Sequence, residues 1–105
     1  MVFPKFIIEG DNLIISKVQY HHQIAIDKSK VKGGGWFRYL KQTNMFVFYG
    51  DSHDLGQAKF EDIKKCVENG NIYSDSRLHR NISDKHNFGY DTGTEIITLN
   101  KTKSY

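Results

Sequence analysis

Residues 33 to 60 read GGGWFRYLKQTNMFVFYGDSHDLGQAKF, and the reading of this stretch decides the fold. Met45-Phe46-Val47-Phe48-Tyr49 is an apolar run of strand length, and Trp36 to Leu40 is a second one. Between them Lys41-Gln42-Thr43-Asn44 is short and polar, so the pair reads as a β-hairpin. A polar loop follows, Gly50-Asp51-Ser52-His53-Asp54-Leu55-Gly56, and closes just before a helical pattern begins. The first backbone N–H groups of a helix have no intrahelical partner and carry the positive end of its dipole, so a small-residue loop there can hold an anion. Most strand–loop–helix junctions merely connect two packed elements, and both readings stay open at this point.

The three glycines that open the stretch lose much backbone entropy on folding. Their use points to backbone conformations closed to other residues, or to close approach of another segment. A nucleoside-triphosphate loop would follow its glycines with a lysine and a hydroxyl. Trp36 and Phe37 stand there instead, which argues against that ligand.

Working outward towards the N-terminus, Phe3 to Glu9 and Leu13 to Val18 are β-rich runs separated by Gly10-Asp11-Asn12, a second hairpin signature. Lys5 lies near the start of the first run, where the plain reading is a solvated edge lysine that discourages strand-to-strand aggregation. Tyr20-His21-His22-Gln23-Ile24-Ala25-Ile26 either continues a strand or opens a short helix. The two histidines point apart by about 180° on a strand and about 100° on a helix, so only one can be central to a given site. No zinc signature links them to His53, His79 and His86, so no metal is expected. Asp27 to Lys32 holds four charged residues among six.

Towards the C-terminus, Phe60, Ile63 and Val67 recur at helical spacing from Lys59 to Glu68. Glu61 is placed to pair with Lys65, and Gly70 acts as the stop. Cys66 lies on or beside the apolar face of this helix and reads as a buried, inert thiol. Ile72-Tyr73 is a short strand. Ser74 to Gly93 turns polar and reads as a long loop or a partly disordered arm. Glu95 to Leu99 is strand-like again, and a terminal strand must pair with this sheet's edge or with another chain, so a homodimer through it is an expectation.

A chain of 105 residues makes one domain, burying about 65% of its unfolded surface. Hydrophobic content of 38% with 13% aromatics supports a globular core. Fifteen Lys and Arg against twelve Asp and Glu leave a small excess that is scattered instead of clustered, which argues against nucleic acid as a partner. Cys66, as the one cysteine, excludes an internal disulfide and a cysteine-based zinc site. No apolar stretch is long enough to span a bilayer. Met1-Val2-Phe3-Pro4-Lys5 lacks the regions of a signal peptide, so a cytoplasmic location without membrane contact is expected. The elements together predict an α+β single domain, a mixed sheet packed by one clear helix and a shorter second one near His21.

The order of these elements, hairpin, Tyr-His, triple glycine, Tyr-Gly-x-Ser loop and helix, resembles the Janus/Ocnus family of phosphohistidine phosphatases. Lys5-Phe6-Ile7-Ile8 matches the lysine that opens that family's first strand, and Tyr20-His21-His22-Gln23-Ile24 its catalytic histidine motif. Gly33-Gly34-Gly35 matches its glycine run, and Tyr49-Gly50-Asp51-Ser52-His53-Asp54-Leu55-Gly56 its phosphate-holding loop. The resemblance covers residues 3 to 73, so that 1–73 reads as a phosphatase-like core and 74–105 as an extension of the same domain. The segment between the histidines and the glycines is shorter than in the family's animal members, and their cysteine cluster is missing. Asp51 and Asp54 place charge where the family has none. Asp54 would repel a phosphate dianion unless His53 or Lys5 offsets it.

The resemblance implies a cofactor-free, metal-independent phosphatase acting on a phosphorylated protein or a small phosphoramidate. His21 would be general base or nucleophile, with His22 as the fallback should the register shift by one. Lys5, Ser52 and backbone N–H groups in the Tyr20-His21-His22 and Ser52-His53-Asp54 segments would hold the phosphoryl oxygens, with Gly50 and Gly56 shaping the loop. The competing reading is a non-catalytic module that keeps the fold and binds a phosphorylated ligand or a protein. Ser52 has a plain role too, as a turn or helix-cap residue.

Overall fold

A computed structural model describes residues 4–16, 27–53, 55–74 and 87–100 of the chain. The first hairpin forms where the two β-rich runs around Gly10-Asp11-Asn12 predict it. Strand β1 (Lys5–Glu9) and strand β2 (Asn12–Ser16) pair antiparallel from Lys5 opposite Ser16 to Glu9 opposite Asn12. Gly10 takes the reversal at φ +62, a left-handed conformation that glycine enters without steric cost.

The Asp27 carboxylate caps a single 3₁₀ turn (Lys28–Lys30) by accepting from the Ser29 N–H at 3.0 Å. Strand β3 (Val31–Leu40) starts five residues before the Trp36 expected from sequence and takes the triple glycine into the sheet. It pairs antiparallel with β1, Gly34 lying opposite Ile7, and then with strand β4 (Met45–Tyr49). The four residues between Leu40 and Met45 close this hairpin, with Asn44 at φ +52.

Helix α1 (Phe60–Asn69) runs one residue later than its pattern predicts and ends at Gly70, whose φ of +72 lets its N–H reach the last carbonyls. Strand β5 (Ile72–Ser74) then adds parallel to β2. Two further strands follow: the first corrects the expectation of a loop or disordered arm over the whole of 74–93, and the second lies where the strand over Glu95 to Leu99 was expected. Strand β6 (Asn87–Asp91) lies parallel to β4, and strand β7 (Ile96–Leu99) pairs antiparallel with β6. Among the described residues the result is a seven-stranded mixed sheet in the order β5-β2-β1-β3-β4-β6-β7 with one α-helix on it. The second helix expected near His21 falls outside the described residues.

Strand alternation divides the sheet into two faces. One carries Phe6, Ile8, Leu13, Ile15, Phe37, Phe48 and Phe88, over which Ile63, Cys66 and Val67 of α1 close the main core. Phe48 is its centre. It meets Phe6 edge-on at 5.0 Å and lies parallel to Phe88 at 6.1 Å. Phe88 and Leu99 belong to this core, so β6 and β7 share one domain with β1 to β5 and α1. The other face holds a smaller cluster of Ile7 and Ile14, against which Val31 and Leu55 pack. Among the described residues no helix is long and apolar enough to cross a membrane.

Candidate functional site

The second face is where sequence motifs far apart in the chain meet. Lys5 stands on it directly across from Trp36 of β3. Because β1 has β2 on one side and β3 on the other, Lys5 is on an interior strand and is only 5% exposed. This overturns the reading of a solvated edge lysine. Its ammonium lies 4.7 Å from the centre of the Trp36 ring, within the range of a cation–π attraction. Burial holds the Lys5 pKa below the usual lysine value, because desolvation disfavours the charged form.

The loop after β4 folds onto the same face. Ser52 and Gly56 pair across a tight turn, the Gly56 N–H donating to the Ser52 carbonyl at 3.0 Å and the Ser52 N–H to the Gly56 carbonyl at 3.3 Å. Ser52 is buried, and its Oγ accepts from the Leu55 N–H at 3.0 Å, so it closes the turn as its plain reading expects. It does not cap α1, whose N-cap position is Lys59. Leu55 reaches down to Ile7 and Ile14. The Trp36 indole N–H donates to the Asp51 carbonyl at 3.2 Å, linking the partner of Lys5 to the residue before Ser52.

The glycines make this arrangement sterically available. After Gly56 the chain runs parallel to β3, the Gly34 N–H donating to the Gly56 carbonyl at 3.0 Å and the Ala58 N–H to the Gly34 carbonyl at 3.3 Å. A Cβ on Gly33, at φ +137, would sit 2.6 Å from the Gln57 carbonyl oxygen. One on Gly35 would sit 2.6 Å from the Tyr49 oxygen, and one on Gly50, at φ +70, 2.7 Å from Trp36 Cδ1. Close approach of another segment is therefore what Gly33 and Gly35 permit. Gly56 needs its freedom for φ +82 alone, since nothing lies within 4 Å of its Cβ position.

The helix start does not serve this loop. Gln57 and Ala58 separate the Ser52–Gly56 turn from α1, and Glu61 and Asp62 occupy the first helical turn. Those carboxylates already complement the dipole. The structure thus brings Lys5, Ser52 and the Gly50–Gly56 turn to one face, with His53 exposed at the turn. Tyr20, His21, His22 and Asp54 lie outside the described residues. Trp36 is the site residue that sequence reasoning missed. Its signal was its position, directly after the glycines that fix the loop.

Cys66 is excluded from the chemistry. It is buried in the core, its Sγ–H reaches the Asp11 carbonyl at 3.3 Å, and burial, with Asp62 and Asp11 nearby, pushes its pKa up to about 12. No group of three or more metal-binding side chains occurs among the described residues. No protein-family model, characterised protein or solved structure matches the chain.

Proposed function

We propose that the chain is a metal-independent hydrolase of the P–N bond in phosphohistidine or a related phosphoramidate. The observation that carries this reading is the buried cation of Lys5 on the face to which the Ser52–Gly56 turn folds. A desolvated ammonium attracts a phosphoryl oxygen more strongly than one in bulk water. The Ser52 Oγ accepts one bond from Leu55 and keeps its own O–H to donate. Ser16, the register partner of Lys5, lies five residues before His21, a tether of at most about 18 Å.

In this reaction His21 takes a proton from water as the water oxygen bonds to phosphorus, or its imidazole nitrogen itself takes the phosphoryl group. The P–N bond breaks, and the leaving nitrogen departs with the proton that His21 took from water. On the covalent route it departs with a proton from solvent, after which water attacks the phosphorus on His21 and releases phosphate. An unperturbed imidazole titrates at about pH 6.5 and is largely neutral and competent at pH 7.5. Lys5 balances the charge on the phosphoryl oxygens in the transition state.

One observation favours the second reading, a module that binds phosphate without turnover. The Ser52 N–H is spent on the Gly56 carbonyl, and Asp51 sits exposed beside it. Phosphate release from free and protein-bound phosphohistidine, with no added metal, separates the two. Turnover by the wild type that falls about 100-fold or more in His21→Ala but not in His22→Ala is the expected result. Absence of turnover in a folded wild type would sink the hydrolase. Phosphoramidate binding lost in Lys5→Met would then leave the binding module.

A further inference from the structure

Strand β7 is the last strand, and among the described residues it pairs with β6 alone. Two observations fix which of its backbone groups face outward. The Asn87 N–H donates to the Asn44 carbonyl, so odd-numbered residues of β6 serve β4. The Thr92 N–H donates to the Glu95 carbonyl at the hairpin end, so even-numbered residues of β6 serve β7. Phe88 and Tyr90 therefore bond to Leu99 and Ile97. The N–H and C=O groups of Ile96 and Thr98 point away from the sheet.

Natural sheets protect such an edge with lysine, proline, a bulge or an inward-pointing charge. The Ile96-Ile97-Thr98-Leu99 strand has none of these, and Ile96 and Ile97 are 42% and 36% exposed. The opposite edge, β5, is limited by its three-residue length. We propose that the β7 edge pairs antiparallel with the β7 edge of a second copy of this chain, about a two-fold axis through Ile97.

The self-complementarity of β7 selects that occupant. Centred on Ile97, the pairing sets Ile96 opposite Thr98 of the other copy, and both of these residues already face outward. Ile97 then meets its own symmetry mate as a pair without mutual hydrogen bonds, in which Cα atoms approach to about 4.5 Å. Glu95 falls opposite Leu99, so no like charges meet. Shifting the axis to Ile96 would set Ile97 against Glu95. The interface closes as an isologous two-fold and leaves no free β7 edge to propagate. An edge of four residues buries far less than a standard interface, so the dimer is weak and depends on concentration.

Sedimentation of the full chain from micromolar to millimolar concentration tests this. The wild type should pass from monomer to dimer, with no larger species. Ile97→Lys places two charges on the axis and Thr98→Pro removes an outward N–H without touching the bonds to β6. Each should weaken association by at least about tenfold while circular dichroism stays native. In a second experiment, oxidised glutathione should link Ile97→Cys into a disulfide dimer, because the paired Cα separation suits the bond. Ile96→Cys should not be linked, because Thr98 faces it. A wild type that stays monomeric at millimolar concentration overturns the proposal. So does a dimer that both β7 substitutions leave intact, or equal cross-linking at positions 96 and 97.

Discussion

Replacing Gly33 by alanine tests how the candidate loop is held. Gly33 has φ +137, outside even the left-handed well that a few other residues visit, and forcing an L side chain there costs about 1 to 3 kcal/mol. The added Cβ would also lie 2.6 to 2.7 Å from Gln57 O, Gln57 C and Ala58 N, all backbone atoms. That backbone cannot swing aside freely, because hydrogen bonds to Gly34 hold it on both sides, at Gly56 and at Ala58. Yielding means losing those two bonds, each worth about 1 kcal/mol net. The substitution should therefore destabilise by about 3 to 5 kcal/mol, a large share of a typical domain's stability. Gly10→Ala is the internal control. It also has positive φ, +62, but nothing lies within 4 Å of its Cβ position, so its cost should stay at about 1 to 2 kcal/mol. Urea unfolding of both variants gives the comparison, and amide exchange at Gly34 and Ala58 reports whether the bridge is lost. Equal destabilisation of the two variants would refute the steric argument. So would a Gly33→Ala protein whose Gly34 and Ala58 amides stay protected.

Phe48→Ala removes the ring that Phe6 and Phe88 contact in the main core and should cost about 3 to 5 kcal/mol. Tyr39→Ala, at a ring 46% exposed, should cost less than half as much in the same urea titration; comparable losses would contradict the assigned core. The Cys66 thiol, with its pKa pushed up to about 12 from a usual value of 9, should resist a thiol reagent at pH 8 until the protein unfolds. Its folded pKa is raised, so the stability it contributes is complete below pH 9 and declines as pH rises towards 12. Stability that is flat over that window in the wild type but not in Cys66→Ala would reverse the sign of the argument. The Asp91 carboxyl is held below its usual range by the Gly93 N–H first and by Arg38 second. Its contribution is present above the unfolded value of 3.8 and is lost as pH falls through the lowered folded value. A carbon-detected titration that places Asp91 above 3.8 would contradict this.

The two hairpins were legible because β-rich apolar runs flank turn-forming residues, and α1 because Phe60, Ile63 and Val67 share one helical face. Other features were hidden for reasons that local pattern cannot carry. β6 places Gly89 at the middle of Asn87-Phe88-Gly89-Tyr90-Asp91, which lowers its intrinsic strand tendency. Yet a glycine suits that position, because Met45 Sδ and Ile96 Cγ2 would lie 3.0 and 2.9 Å from any Cβ there. Gly33 to Gly35 precede the strand expected from Trp36 and are instead part of it, since β1 on one side and Gly56 to Ala58 on the other supply their partners. Lys5 was misread because strand order is not a local property. Its segment becomes interior only when β3 pairs with the side that β2 leaves open.

That same strand order bears on which substitution discriminates between the functional readings. The Ser52–Gly56 turn approaches Lys5 from the β3 side, through Trp36 and Asp51. The chain leading to the Tyr20-His21-His22 motif departs from Ser16, which flanks Lys5 on the β2 side. β1 stands between these two approaches, so Lys5 is the cation common to a phosphatase and to a binding module. Loss of Lys5 disables either, and by itself tells them apart no better than loss of the fold would. His21 behaves differently, because a general base matters to turnover far more than to the affinity of a phosphate already held by a cation and a turn. A variant set that lowers phosphoramidate affinity through Lys5 and turnover through His21 would separate holding the phosphoryl group from transferring it. If His21→Ala instead weakens binding as much as Lys5→Met does, the histidine is a ligand contact, and the chemistry assigned to it has no basis.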